Sequence, residues 1–210
     1  MKELVSKEKW KYLWYTVTHP SEGYYWIRHQ EKGSVAIALL LVIAFGLCFS
    51  LNRIYASFVV NDVNPRYVNS VSELSGVLLM FLMLCVGNWS ITCLMNGEGR
   101  FKDIVIALGY AMLPMILTFI LGTLISQVVA ENEEAFYTII MGIGIAYTAI
   151  LMLVGIMQVH NYTLGKTLIT LFLTLLAVII IIFLLLLVSN FIMQVVTFIE
   201  SIYTELILRS

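Results

Sequence analysis

Four or five long apolar stretches, separated by short polar joints, fill residues 34–189 of this 210-residue chain. Their boundaries predict spans over residues 34–59, 73–95, 102–130, 135–159 and 164–189. Each meets the roughly 20 helical residues needed to cross a hydrocarbon layer about 30 Å thick. Lipid offers the backbone no hydrogen-bonding partner, so the spans must be helices that satisfy their own N–H and C=O groups. The fifth run contains LITLFLTLLAVIIIIFLLLLV, without a single charge. Short joints predict that consecutive helices pack as antiparallel neighbours. The expected fold is all-α, a polytopic membrane bundle with five transmembrane helices over residues 34–189.

The two ends read differently. At the N-terminal end, residues 1–33, Trp10, Leu13, Trp14 and Val17 fall on one helical face flanked by Lys7, Lys9 and Lys11, which suits a helix in the headgroup layer. Pro20 suits a first helical turn, and a second short helix carrying Tyr24, Tyr25 and Trp26 is expected to run to Gly33. The apolar run begins only after Gly33 and is too long for a secretory signal, so the first span reads as an uncleaved anchor. At the other end, Gln194, Glu200 and Glu205 make residues 190–208 too polar for a sixth span. Ile192, Val195, Ile199, Ile202 and Leu206 recur at helical spacing. Residues 190–210 are therefore expected to be an amphipathic extension, continuing span five or bending onto the outer surface.

Composition agrees with the pattern. Hydrophobic residues make up 60% of the chain and charged residues 12%, against about 25% charged in a soluble domain. No stretch outside the spans is long enough to bury a core of its own. The charge distribution predicts orientation. Lys2, Lys7, Lys9, Lys11, Arg28, Lys32, Arg100, Lys102 and Lys166 fall on one side, and Arg53, Arg66 and Arg209 on the other. The second side also carries the acidic joint Glu131, Glu133 and Glu134. Positive residues gather in the cytoplasm, so the N-terminus is expected there and the C-terminus outside, in a plasma membrane.

Candidate chemistry is sparse. Cys48, Cys85 and Cys93 sit in or beside apolar runs without metal-ligand spacing. His19, His29 and His160 all fall on the expected cytoplasmic side, but no local ligand spacing supports a metal site, and no cofactor is expected. The joint NGEGRFKD at 96–103 lacks a P-loop pattern and reads as a tight turn, with Gly97 and Gly99 supplying backbone freedom. In span three, Pro114 crowds the carbonyl of Tyr110 and predicts a kink. Gly142, Gly144, Ala146 and Gly155 mark a close helix–helix approach in span four, within the chain or with a partner. No charge stands mid-span, which argues against a proton-coupled pump. The polar groups there are mild, among them Asn88, Gln127 and Gln158. No catalytic signature is present, and nothing points to nucleic acid.

Three segments carry a resemblance: HPSEGYYWIRHQEKGS at 19–34, NGEGRFKDIVIALGYAMLP at 96–114 and VGIMQVHNYTLGKT at 154–167. With them the chain resembles the Yip (Ypt-interacting protein) family of five-span membrane proteins, in its bacterial branch. The resemblance covers residues 19 to 195. It implies a five-helix bundle with a cytoplasmic N-terminus and no enzyme activity. Eukaryotic members are linked to Rab/Ypt GTPases and to vesicle traffic; the long N-terminal region typical of those members, with its DLYGPLW-like motif, is missing here. Bacterial members resembling this chain tend to be encoded beside sugar-uptake ABC transporters.

All three segments end at the expected cytoplasmic surface. His19, Tyr24, Arg28, Asn96, Arg100, Phe101, Asp103, His160, Tyr162 and Lys166 are its exposed docking candidates, with Pro20, Gly97, Gly99, Tyr110 and Pro114 completing the motifs. The reading that follows is a non-catalytic accessory or scaffolding subunit of a larger membrane complex, with ABC-type sugar importer subunits and membrane lipids as partners. The alternatives are a small permease gated at Pro114, and a protein that organises or shapes membranes through its Trp10–Trp14 helix.

Overall fold

The computed structural model describes residues 7–208. Lys2 and Arg209, two of the residues in the charge count, lie outside the described residues, as do the outermost parts of the two terminal segments. Within that range the chain forms α1 (Lys7–Thr18), α2 (Pro20–Gln30), α3 (Val35–Tyr55), α4 (Ser70–Leu94), α5 (Phe101–Tyr110), α6 (Leu113–Ser126), α7 (Glu134–His160) and α8 (Leu164–Leu208). Five spans are long and apolar enough to cross a membrane: α3, α4, α5 with α6, α7 and α8.

Helix starts follow local chemistry. Asn69 accepts from the N–H groups of Val71 and Ser72 and so caps α4. Asp103 reaches back to the N–H of Arg100 and places a carboxylate in the first turn of α5. The expected break in the third span occurs at Ala111 and Met112, between α5 and α6. Pro114 has no N–H and its ring crowds the Tyr110 carbonyl. The chain tightens locally, and the N–H of Met112 bonds the carbonyl of Gly109, three residues back.

This broken span is by far the most enclosed of the five. It packs on α3 where Gly109 meets Ala38; a Cβ on that glycine would come within 2.6 Å of the Ala38 Cβ. Close backbone approach is a main source of attraction between helices in lipid. Gly144 of α7 fits over Thr118 of α6, and Gly155 lies beside Ala107 and Tyr24. Those two glycines mark an interface within the chain, whereas Gly142 and Ala146 face outward. The last span joins the bundle through a narrow stripe, Thr167, Thr170, Thr174 and Val178. Here Asn88 of α4 donates to Thr174 at 3.1 Å, and Gly87 lies against Val178.

Helices α1 and α2 form a hairpin that is built into the bundle. Leu13, Thr16, Val17, Tyr24 and Ile27 are buried. The hairpin closes tightly because Gly23 rests on Thr16. Helix α2 runs alongside α7, with Tyr24 beside Gly155 and Arg28 bonded to the Val159 carbonyl. Near the hairpin's closed end, Tyr147 of α7 donates to the Val17 carbonyl at 2.6 Å. The single interfacial face expected for α1 is thus divided. Leu13 and Val17 turn into the protein, and Trp10 and Trp14 remain exposed.

The C-terminal segment continues span five as one uninterrupted helix to Leu208. The 45 residues of α8 measure about 68 Å at 1.5 Å per residue. Every residue from Phe183 to Leu208 is exposed.

Candidate functional site

At one end of the bundle the joint between α4 and α5 folds over the joint between α7 and α8. Both helices stop in the same way. Helix α4 ends with Asn96 in the left-handed region (φ 53°), and the N–H of Gly97 bonds the Thr92 carbonyl at 2.7 Å. Helix α7 ends with Asn161 in that region (φ 55°), and the N–H of Tyr162 bonds the Met157 carbonyl at 2.9 Å. In each case a six-to-one bond closes the last turn and satisfies a carbonyl the helix leaves open.

The two caps then dock on each other. The hydroxyl of Tyr162 donates to the Met95 carbonyl at 3.1 Å, and the N–H of Gly99 donates to Nδ1 of His160 at 3.1 Å. His160 is buried and stacks on Tyr162, with ring centroids 5.3 Å apart. Because Nδ1 accepts, the proton of the neutral ring sits on Nε2, which is buried without a partner. A Cβ on Gly97 would lie 2.6 Å from Nδ1 of His160 and 2.7 Å from the Tyr162 hydroxyl; one on Gly99 would overlap Val159. The glycines are required for space rather than for backbone angle. No glycine has positive φ among the described residues, and Asn96 makes the turn.

A charge lattice covers this knot. Arg28 pairs with Glu98 at 2.6 Å and also reaches the Val159 carbonyl. Glu31, in the left-handed position that ends α2, accepts from both Arg100 and Lys102 at 2.8 Å. Arg100 turns its other edge to the buried Asp103 at 2.9 Å. The Lys102 ammonium, with the Arg100 guanidinium behind it, holds the Glu31 carboxyl below the usual glutamate range. Asp103 and then Glu31 push the Arg100 guanidinium further up. Lys166 lies over the ring of Tyr162, 4.0 Å from its centroid. Helices α2, α4 and α7 all end here. Their C-terminal dipoles favour the cations that gather around them.

The structure brings some of the residues singled out in the sequence together and scatters the others. Arg28, Asn96, Gly97, Gly99, Arg100, Asp103, His160, Tyr162 and Lys166 do come together. Tyr24, Asp103, His160 and Tyr162 are buried, however, and the exposure expected of them is corrected. Asp103, His160 and Tyr162 are the bolts of the assembly, because packing two chain reversals together needs rings and hydrogen bonds beneath the surface; Tyr24 is buried instead where α2 packs on α5 and α7. Tyr24 donates to the Ala107 carbonyl at 3.3 Å, and Tyr110 accepts from the N–H of Ser34 at 3.0 Å. His19 and Pro20 form the turn of the α1–α2 hairpin, where His19 stacks on Tyr15. Pro114 is buried in the first turn of α6. Phe101 stays at the surface, edge-on to the exposed Trp89 at 5.9 Å. Among the described residues, no three His, Cys, Asp or Glu side chains are placed to hold a metal.

Sequence reasoning passed over Glu31, Lys102 as its partner, and Trp89. Glu31 and Lys102 are separated by 71 positions, and no local spacing announces their pairing.

Residues 14–187 match the Yip1 domain, from the middle of α1 to the exposed part of α8. The match contains every element of the knot. No curated protein and no solved structure shows significant similarity to the chain. Five membrane-length apolar helices, the hairpin packed on them and this match over most of the length together establish that the chain is an integral membrane protein belonging to the Yip1 domain family.

Proposed function

We propose that this protein is a non-catalytic accessory subunit that docks a larger membrane complex onto the end of the bundle carrying the Gly97 turn. That end faces the cytoplasm in this reading, and an ABC-type sugar importer is the first partner to test. One observation carries the proposal. Glu31, Arg100 and Lys102, from two separate segments, form an exposed ionic platform fixed to a buried knot, with the Trp89–Phe101 pair beside it. Exposed pairs of this kind contribute little stability, typically under about 1 kcal/mol, so their placement suits recognition better than folding. Aromatic residues and arginine are also the types enriched at protein–protein interfaces.

Copurification from native membranes in a mild detergent tests this reading. A stoichiometric partner should be retained and should be released by Phe101→Ala combined with Lys102→Glu, which spares the Arg100–Asp103 pair, in a chain whose Tm stays within a few degrees of the parent. A chain that elutes alone would overturn the proposal. A second reading, a small permease, rests on the break at Ala111 and Met112. Solute flux into liposomes containing the purified chain would favour it.

A further inference from the structure

The end of the bundle opposite the knot carries a groove in its flank. It lies between α3, α4 and α8 and has a volume of about 490 Å³, within the range of about 300–1,000 Å³ usual for ligand sites. Phe45 and Phe49 of α3, Val77 and Leu84 of α4 and Leu175 of α8 form its walls, and Met112 at the helix break also lines it. Along α4 it extends from Glu73 to Leu84, about 16 Å, close to half the hydrocarbon thickness. Gly76 stands on this stretch with open space where its Cβ would be.

The one charged group in the lining is Glu73. Its Oε1 takes Arg53 at 2.6 Å, and its Oε2 is buried with no hydrogen-bond partner. A carboxylate oxygen withdrawn from water without a donor is costly, and a site that leaves one bare is short of a donor. Arg53 stays partly exposed beside it, with guanidinium N–H groups beyond the one spent on Glu73.

We propose that this groove holds one acyl chain of an ethanolamine phospholipid, with the headgroup ammonium donating to Oε2 of Glu73 and the phosphate beside Arg53. The apolar walls match a single chain over one leaflet. The Glu73–Arg53 pair sets a mostly buried acceptor beside a partly exposed cation at this end of the groove, the reverse of a zwitterion that carries an ammonium and a phosphate. A choline headgroup has no N–H to give, and a glycerol headgroup has no cation, so both meet only part of the site.

Native mass spectrometry tests this on the full chain in nanodiscs of equimolar ethanolamine, choline and glycerol phospholipids. One ethanolamine lipid per chain should survive detergent release, favoured about tenfold over the choline lipid, as expected for one charge-assisted hydrogen bond. Glu73→Gln keeps the shape and should bring the two lipids near parity. Gly76→Trp should abolish retention by filling the groove. Gly142→Trp, at an equally open position on α7, should leave it unchanged. Equal retention of all three lipids by the parent chain, or undiminished retention by a Gly76→Trp chain with normal elution, would show ordinary annular lipid and overturn the proposal. If Gly76→Trp does not fold, Glu73→Gln decides alone: an unchanged preference overturns it.

Discussion

The N–H of Gly99 donates to Nδ1 of His160 at 3.1 Å, across 61 positions of sequence. This bond joins the turn after α4 to the end of α7, and the rest of the polar lattice is laid over it. Replacing the ring should therefore loosen two joints at once. His160→Ala removes both the acceptor and the stack on Tyr162. His160→Phe keeps the stack alone. We expect both to lower Tm in mild detergent, His160→Ala more, with the lost acceptor costing about 1–3 kcal/mol. Equal Tm for His160→Phe and the parent would show that the bond contributes nothing.

Gly97→Ala places a methyl group against His160 and the Tyr162 hydroxyl. Overpacking of this kind costs about 1–3 kcal/mol. Gly165→Ala, where nothing lies within 4 Å, should be neutral or slightly stabilising because alanine is the better helix former. Thermal melts of the two variants should move in opposite directions or differ by several degrees.

Glu31 gives the lattice a pH dependence with a definite sign. Its carboxyl is depressed in the folded chain by Lys102 and Arg100. A depressed acid contributes stability above its unfolded pKa, about 4.3, and loses it as pH falls through the lower folded value. Melting temperature should therefore drop below about pH 4 in the parent, and this part of the drop should shrink in Glu31→Gln. The group is exposed, so the effect should also fade with added salt.

Orientation is open to a direct measurement. Lys11→Cys and Glu133→Cys, introduced one at a time into a chain lacking Cys48, Cys85 and Cys93, should react with a membrane-impermeant thiol reagent from opposite sides. With the N-terminus inside, only the Glu133→Cys chain labels in intact cells. Labelling of both from one side would contradict the five-span layout.

Much of this architecture was legible from residue order. Hydrophobic length located the five spans, and Pro114 marked the break between α5 and α6, because both depend on local chemistry alone. The small residues of span four were informative in part. Gly144 and Gly155 pack inward, while Gly142 does not, and only the path of α6 and α2 decides which. Tyr24, Asp103, His160 and Tyr162 looked like surface groups because polar residues at a membrane boundary usually are. The burial of Asp103, His160 and Tyr162 depends on two reversals docking together, and that of Tyr24 on α2 packing against α5 and α7; both are long-range events with no signature in spacing. Glu31 stayed hidden for the same reason, and the left-handed turn residue proved to be Asn96 rather than its glycine neighbours.

The length of α8 carries a mechanical consequence. Only a stripe near its beginning, ending at Val178, is clamped to the bundle, and the remainder is an unbroken rod about 45 Å long, roughly one and a half times the hydrocarbon depth. A rod held at one end is a lever. Any small rocking of α4 and α8 about Asn88 and Thr174 is magnified at Leu208, so a subtle rearrangement in the bundle becomes a large excursion at its far tip.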